Sequence, residues 1–151
     1  MNFISDIELE FSIRIIIALV LGLLIGIERV RSHKIAGPRT YALVSMGAAL
    51  FVVTGEIVHE MLNVNVDSLR IAAQIVVGIG FLGGGMIMFK NGEKTGLTTA
   101  AGLWVAAAIG VACGFGFFTL ATIATIATST ALRLLTMARR NGVAFAIAWL
   151  R

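Results

Sequence analysis

From Thr95 to Leu132 the chain runs thirty-eight residues without a charged side chain. As a single helix that segment would be about 57 Å long at 1.5 Å per residue, nearly twice the roughly 30 Å hydrocarbon core of a bilayer. A soluble domain of 151 residues has no interior of that length. Two lipid-spanning helices and a tight turn do accommodate it, and the cluster Gly114-Phe115-Gly116 is the natural place for the turn.

Three more apolar runs precede it. Leu9 to Ile27 carries Arg14 as its only charge after Glu10, Thr40 to Gly55 carries none, and Ile71 to Phe89 is uncharged over nineteen residues. The last contains five glycines, Gly78, Gly80, Gly83, Gly84 and Gly85, a content that suits close helix approach in lipid. The sequence therefore predicts an all-α membrane bundle in one domain, with helices over about 9–27, 40–55, 71–89, 97–113 and 117–135 and a cytoplasmic tail over 136–151. A hydrophobic fraction of 58% and a mean hydropathy of +0.96 are too apolar for a water-soluble fold of this size. The acidic start, with Asp6, Glu8 and Glu10, is unlike a cleaved signal peptide. Within the tail, Val143 to Leu150 is apolar but too short to span, so it is expected to lie along the interface.

Five spans put the two termini on opposite sides. Ten of the twelve basic residues then share one side: Arg29, Arg31, Lys34, Arg39, Lys90, Lys94, Arg133, Arg139, Arg140 and Arg151. Only Arg70 belongs to the opposite loops, where Glu56, His59, Glu60 and Asp67 also lie. The positive-inside rule places the basic side in the cytoplasm and the amino terminus outside.

The same distribution argues against nucleic acid as a partner, because the charges flank apolar runs instead of forming a basic face. Gly78-Ile79-Gly80-Phe81-Leu82-Gly83 matches the dinucleotide fingerprint in letters, yet it lies inside a membrane-length run with no strand before it. Close packing is the better reading. Cys113 stands alone, so no internal disulfide is available, and it reads as a small buried hydrophobe. Within the spans there is no nucleophile beside a base, no His/Cys metal spacing and no pair of carboxylates. No enzyme activity and no cofactor are expected.

Glycines four apart recur as Gly22 with Gly26, Gly80 with Gly84, and Gly110 with Gly114. That spacing lines small residues along one helix face, for packing within the bundle or between copies. Gly83-Gly84-Gly85 is expected to loosen the third helix near its basic end. Arg14 reads as a snorkelling partner of Glu10, one turn away. Gln74 reads as an interhelical hydrogen-bonding group. The basic edge gathers further candidates: Glu28 and Arg29 close the first helix, Arg39 and Thr40 open the second, Asn91 follows the third, and Thr98 with Thr99 opens the fourth. An ion pair of Glu28 with Arg39 or Arg29 is the simplest use of that edge, with a ligand or partner site as the sharper alternative.

In order along the chain stand Gly22-Leu-Leu-Ile-Gly-Ile-Glu-Arg29, Gly37-Pro-Arg-Thr-Tyr-Ala-Leu-Val44, Gly47-Ala-Ala-Leu-Phe51, Arg70-Ile-Ala-Ala-Gln74, Gly78-Ile-Gly-Phe-Leu-Gly83, Gly96-Leu-Thr-Thr-Ala-Ala101, Leu103-Trp104 and Ala108-Ile-Gly110. Taken together, these segments resemble the MgtC/SapB family of bacterial inner-membrane proteins. The resemblance implies about five membrane helices. Together with the residues of the basic edge and the spaced glycines, this makes Glu28, Arg29, Arg39, Thr40, Arg70, Gln74, Gly78, Gly80, Gly83, Gly84, Asn91, Thr98 and Thr99 the candidate functional or packing residues. Several relatives carry a cytoplasmic ACT-like domain after the last helix, and this sequence corresponds to the membrane domain alone.

Members of that family are linked to growth at low magnesium and to survival inside host phagocytes. The resemblance thus implies a non-enzymatic regulator acting on membrane partners, the rotary ATP synthase among them, or on further copies of itself. The alternative is a transporter or channel for magnesium or another small cation. Magnesium favours oxygen ligands, usually carboxylates with retained water, and the spans offer no acid near mid-membrane.

Overall fold

The computed structural model describes residues 2–31, 34–90 and 93–140. Five helices carry almost all of it: α1 (Asn2–Arg31), α2 (Pro38–Leu62), α3 (Ser68–Gly85), α4 (Leu97–Gly114) and α5 (Phe118–Arg140). All five include stretches long and apolar enough to cross a membrane. Between α3 and α4 stands a two-stranded antiparallel hairpin, β1 (Met88–Lys90) with β2 (Glu93–Thr95), in which Met88 faces Thr95.

Large apolar side chains cover the outside of this bundle. Phe81, Leu69, Val77 and Phe51 are among those mostly exposed. On a soluble protein so much apolar surface would mark an interface; here it faces acyl chains. The buried interior is correspondingly small in side-chain size, rich in alanine and glycine, because helices in lipid associate by close van der Waals contact.

Packing centres on α2. Its inner face repeats Tyr41, Ala42, Ser45, Ala48, Ala49 and Val52, all buried. A side-chain carbon added at Gly22 of α1 would strike the Tyr41 carbonyl and Ser45 Cβ, and one added at Gly26 would strike Pro38. From the other side, Gly110 of α4 lies on the Ser45 carbonyl, and Gly114 on Val52. Two of the spaced glycine pairs thus press on the backbone of one helix. Ser45 sits between them, fully buried, with its hydroxyl unpartnered among the described residues. Helix α5 closes over α1 and α4 through one face bearing Ala121, Thr125 and Leu132. Helix α3 is more peripheral: Ile79 is buried, Gly83 rests on Ala100 of α4, and Gly55 of α2 meets Ile71.

The expected turn between the last two spans is present. Phe117 N–H donates to the Ala112 carbonyl (2.8 Å) and Gly116 N–H to the Cys113 carbonyl (2.9 Å), with Gly116 at φ +76°. This is a Schellman ending, which requires a left-handed residue and so favours glycine. Cys113 is buried, as expected.

Several boundaries differ from the sequence reading, among them the first helix, which covers Asn2–Arg31 and not 9–27. The third helix ends at Gly85, not at 89, because Met86 and Ile87 make only short-range bonds back to Gly83 and Gly84 and the chain then pairs as a hairpin. Glycine's low helix propensity explains the stop. The second helix continues from 55 to Leu62, since Glu56 is neutralised by Arg14 at 2.6 Å and the charges beyond it are exposed. The fifth runs through 136–140, and the interfacial reading of Val143 to Leu150 lies outside the described residues.

The glycine contacts are not equivalent, and substitution distinguishes them. Gly110→Ala should lower stability by about 1–3 kcal/mol through overpacking, whereas Gly80→Ala, whose added carbon meets nothing within 4 Å, should match or exceed the wild type. Ser45→Ala should be neutral or stabilising by up to about 1 kcal/mol, since it removes an unpaired buried hydroxyl. Thermal unfolding in detergent reads all three; a Gly80→Ala loss as large as that of Gly110→Ala would contradict the packing.

Candidate functional site

The candidate residues separate into two groups on either side of α2. The first is a buried polar cluster at the basic end. Glu28 and Arg29, in the last turn of α1, are only 2% and 1% exposed. Neighbouring helix residues point about 100° apart, so burial of both means that the end of α1 is enclosed by other elements. The contact of Gly26 with Pro38 supplies one wall. Charges this deep require compensation, and Arg29 Nη1 lies 3.6 Å from Glu28 Oε2.

Tyr41 completes the cluster from α2. Its hydroxyl donates to the Thr99 carbonyl of α4 at 3.3 Å and is within electrostatic reach of Arg29. Gly102 leaves the room that the hydroxyl occupies. Three helix ends are therefore tied together by polar groups shielded from lipid. Nε and Nη2 of Arg29 have no hydrogen-bond partner among the described residues.

Glu28 does not pair with Arg39. Arg39 lies two residues before Tyr41, roughly 200° around the helix; with Tyr41 facing the core, Arg39 faces outward and is exposed. That alternative is corrected: among the described residues Arg29 lies beside Glu28.

The second group lines a cleft of about 1100 Å³ between α2 and α3. Arg39 and Thr40 stand at one end, Arg70 with Asp67 at the other, and Gln74 and Gly78 along the α3 wall. Arg70 Nε lies 3.6 Å from Asp67 Oδ2, and Asp67 Oδ1 also accepts the Arg70 amide, capping α3. Of the remaining candidates, Gly80 and Gly84 face open space, Gly83 packs on Ala100, and Thr98 is exposed. Asn91 lies outside the described residues.

At the opposite end of the bundle Arg14 does more than snorkel. It contacts Glu10 and Glu56, each at 2.6 Å, and donates to the Gly114 carbonyl at 2.9 Å, joining α1, α2 and the end of α4. Glu56, Tyr41 and Ser45 were not singled out from the sequence. The recurrence of Tyr41, Ala42, Ser45, Ala48, Ala49 and Val52 at helical spacing is the signal that would have found the buried face of α2. No group of three or more His, Cys, Asp or Glu residues gathers among the described residues.

A model of the MgtC family matches residues 15–141. The chain belongs to the MgtC family. Protein MgtC of Brucella abortus strain 2308 is 49% identical over 109 residues, 72% of this chain and 44% of that protein. Protein MgtC of Salmonella typhimurium strain 14028s is 48% identical over 117 residues, 77% and 48% of the respective chains. YhiD of Escherichia coli K12, whose name marks it as a candidate magnesium transporter, is 43% identical over 123 residues, 79% and 57%. The chain thus spans about half the length of the curated relatives it matches. No solved structure matches it. Both the buried cluster and the cleft fall inside the segment matched to the MgtC family.

In this MgtC-family chain Glu28→Gln leaves Arg29 buried without its counter-charge and should cost about 3–5 kcal/mol. Arg39→Gln should stay within about 0.5 kcal/mol of wild type, and Glu28→Gln with Arg29→Gln should recover part of the single-mutant loss. Denaturation in mixed micelles measures this; equal losses from Glu28→Gln and Arg39→Gln would contradict the assignment.

Proposed function

We propose that this multi-pass membrane protein is a non-enzymatic regulator in the bacterial inner membrane, serving adaptation to scarce magnesium with its basic end toward the cytoplasm. The observation that carries the reading is the outward face of α3. Gly80 and Gly84 have the spacing that lets helices approach closely, and nothing among the described residues lies within 4 Å of a carbon added at either. A partner's membrane helix can therefore come near the α3 backbone, as α1 and α4 come near α2. The family resemblance suggests the rotary ATP synthase as that partner.

Transport of magnesium is the second reading, favoured by the name given to YhiD. The electrostatics of the basic end oppose it. Glu28, the buried carboxylate there, shares its site with the buried Arg29 guanidinium 3.6 Å away. A divalent cation approaching that acid meets a fixed positive charge in a low-dielectric setting, where repulsion is strong. The cleft wall is mostly apolar and offers Gln74 as its polar group between the two charged ends.

Two assays on the full chain separate the readings. Affinity capture from membranes of magnesium-starved cells should recover a membrane partner with the wild type and much less with Gly80→Leu. Proteoliposomes should show no magnesium flux above empty vesicles, while cysteine labelling finds the α1–α2 connection accessible only from the cytoplasmic side. Flux abolished by Glu28→Gln, or unchanged capture by Gly80→Leu, would overturn the regulator reading.

A further inference from the structure

Helices α2 and α3 touch at Gly55 and Ile71 and part toward the basic end. Midway along the resulting cleft Gly47 and Gly78 have nothing among the described residues within 4 Å of an added carbon. In a membrane such a volume fills with acyl chain or with another helix, and the charges at its two ends differ in a way that selects between them.

We propose that this cleft is a binding site for one anionic phospholipid of the leaflet at the basic end, with an acyl chain lying past Gly47 and Gly78 and the phosphate on Arg39 and Thr40. The dimensions agree. Thr40 to Phe51 along α2 covers about 17 Å at 1.5 Å per residue, close to the roughly 15 Å of hydrocarbon in one leaflet. The Gly55–Ile71 contact narrows the cleft toward its far end, where Asp67 and Arg70 line it beyond that contact.

Charge sets the headgroup. Arg70, at the far end, is held by Asp67 at 3.6 Å. Arg39 is exposed and makes no ion pair among the described residues. An uncompensated guanidinium at headgroup depth, beside a hydroxyl, matches a phosphate in charge and donor geometry. A second copy of the chain matches less well. Two copies in one membrane share orientation, so a neighbour seated in the cleft brings its own exposed Arg31, Lys34 and Lys94 to the depth of Arg39, and like charges there oppose docking.

The test uses the full chain, delipidated in detergent and titrated with phosphatidylglycerol or phosphatidylcholine while native mass spectrometry counts bound lipid and a melt records Tm. One phosphatidylglycerol should remain bound per chain and raise Tm, at least tenfold more tightly than phosphatidylcholine. Arg39→Gln should remove that preference, and Arg70→Gln should retain it. Gly78→Leu puts side-chain volume into the cleft from a position whose added Cβ meets nothing within 4 Å among the described residues, so it should lose the bound lipid while keeping the Tm of the lipid-free wild type. Equal retention of the two lipids, an undiminished preference in Arg39→Gln or Gly78→Leu, stabilisation by inorganic phosphate alone, or cross-linking of Leu82→Cys to a second copy would each overturn the proposal.

Discussion

Backbone contact between α2 and its two neighbours is the constraint on which the rest of the molecule depends. Lipid provides no hydrophobic force to push helices together, so association rests on how closely their surfaces can meet. Gly22 and Gly26 bring α1 onto one side of α2, and Gly110 and Gly114 bring α4 onto the other. Ser45 lies at both contacts. With α2 held this way, the remaining helices occupy outer positions: α5 against α1 and α4, and α3 along α4 and beside α2, close to it at Gly55.

That arrangement also accounts for where charge is tolerated. The three packed helices end in polar ties at both membrane boundaries. At one end Arg14 joins Glu10, Glu56 and the Gly114 carbonyl. At the other, Glu28, Arg29, Tyr41 and Thr99 bring the same three helices together out of contact with lipid. Between these levels the core mixes small side chains such as Ala48, Ala49 and Ala106 with Leu21, Leu103 and Ile109. The ionic groups thus secure the ends of a bundle whose middle is held by shape, a division that leaves α3 outside the ties and free to offer surfaces to lipid and to partners.

The number of spans, the turn after Gly114 and the close-packing glycines of α1 and α4 were readable from the sequence because each follows from composition along one segment. Length, charge and the left-handed residue at Gly116 suffice for them. What escaped depended on relations between segments. Glu56 looked like the end of a span until Arg14 was placed beside it. Glu28 appeared equally suited to Arg39 or Arg29, and only the helical phase set by Tyr41 turns Arg39 away. Gly80 and Gly84 carry the same spacing as the packed pairs, yet nothing among the described residues meets them. Spacing shows that a face is smooth, while the fold decides what lies against it. The end of α3 was missed for a different reason: an apolar hairpin strand and an apolar helical turn look alike over four residues.

The most direct measurement of the central arrangement is photolabelling of the wild-type protein in bilayers with lipids that carry a diazirine in the acyl chain, mapped by mass spectrometry. If α2 and α4 are packed as described, α4 labels along one stripe through Ala101, Trp104 and Ala108, and α2 labels at Leu43, Leu50 and Phe51 but not at Ala42, Ser45, Ala49 or Val52. Labelling around the whole circumference of α2 and α4, with α3 shielded, would contradict the account.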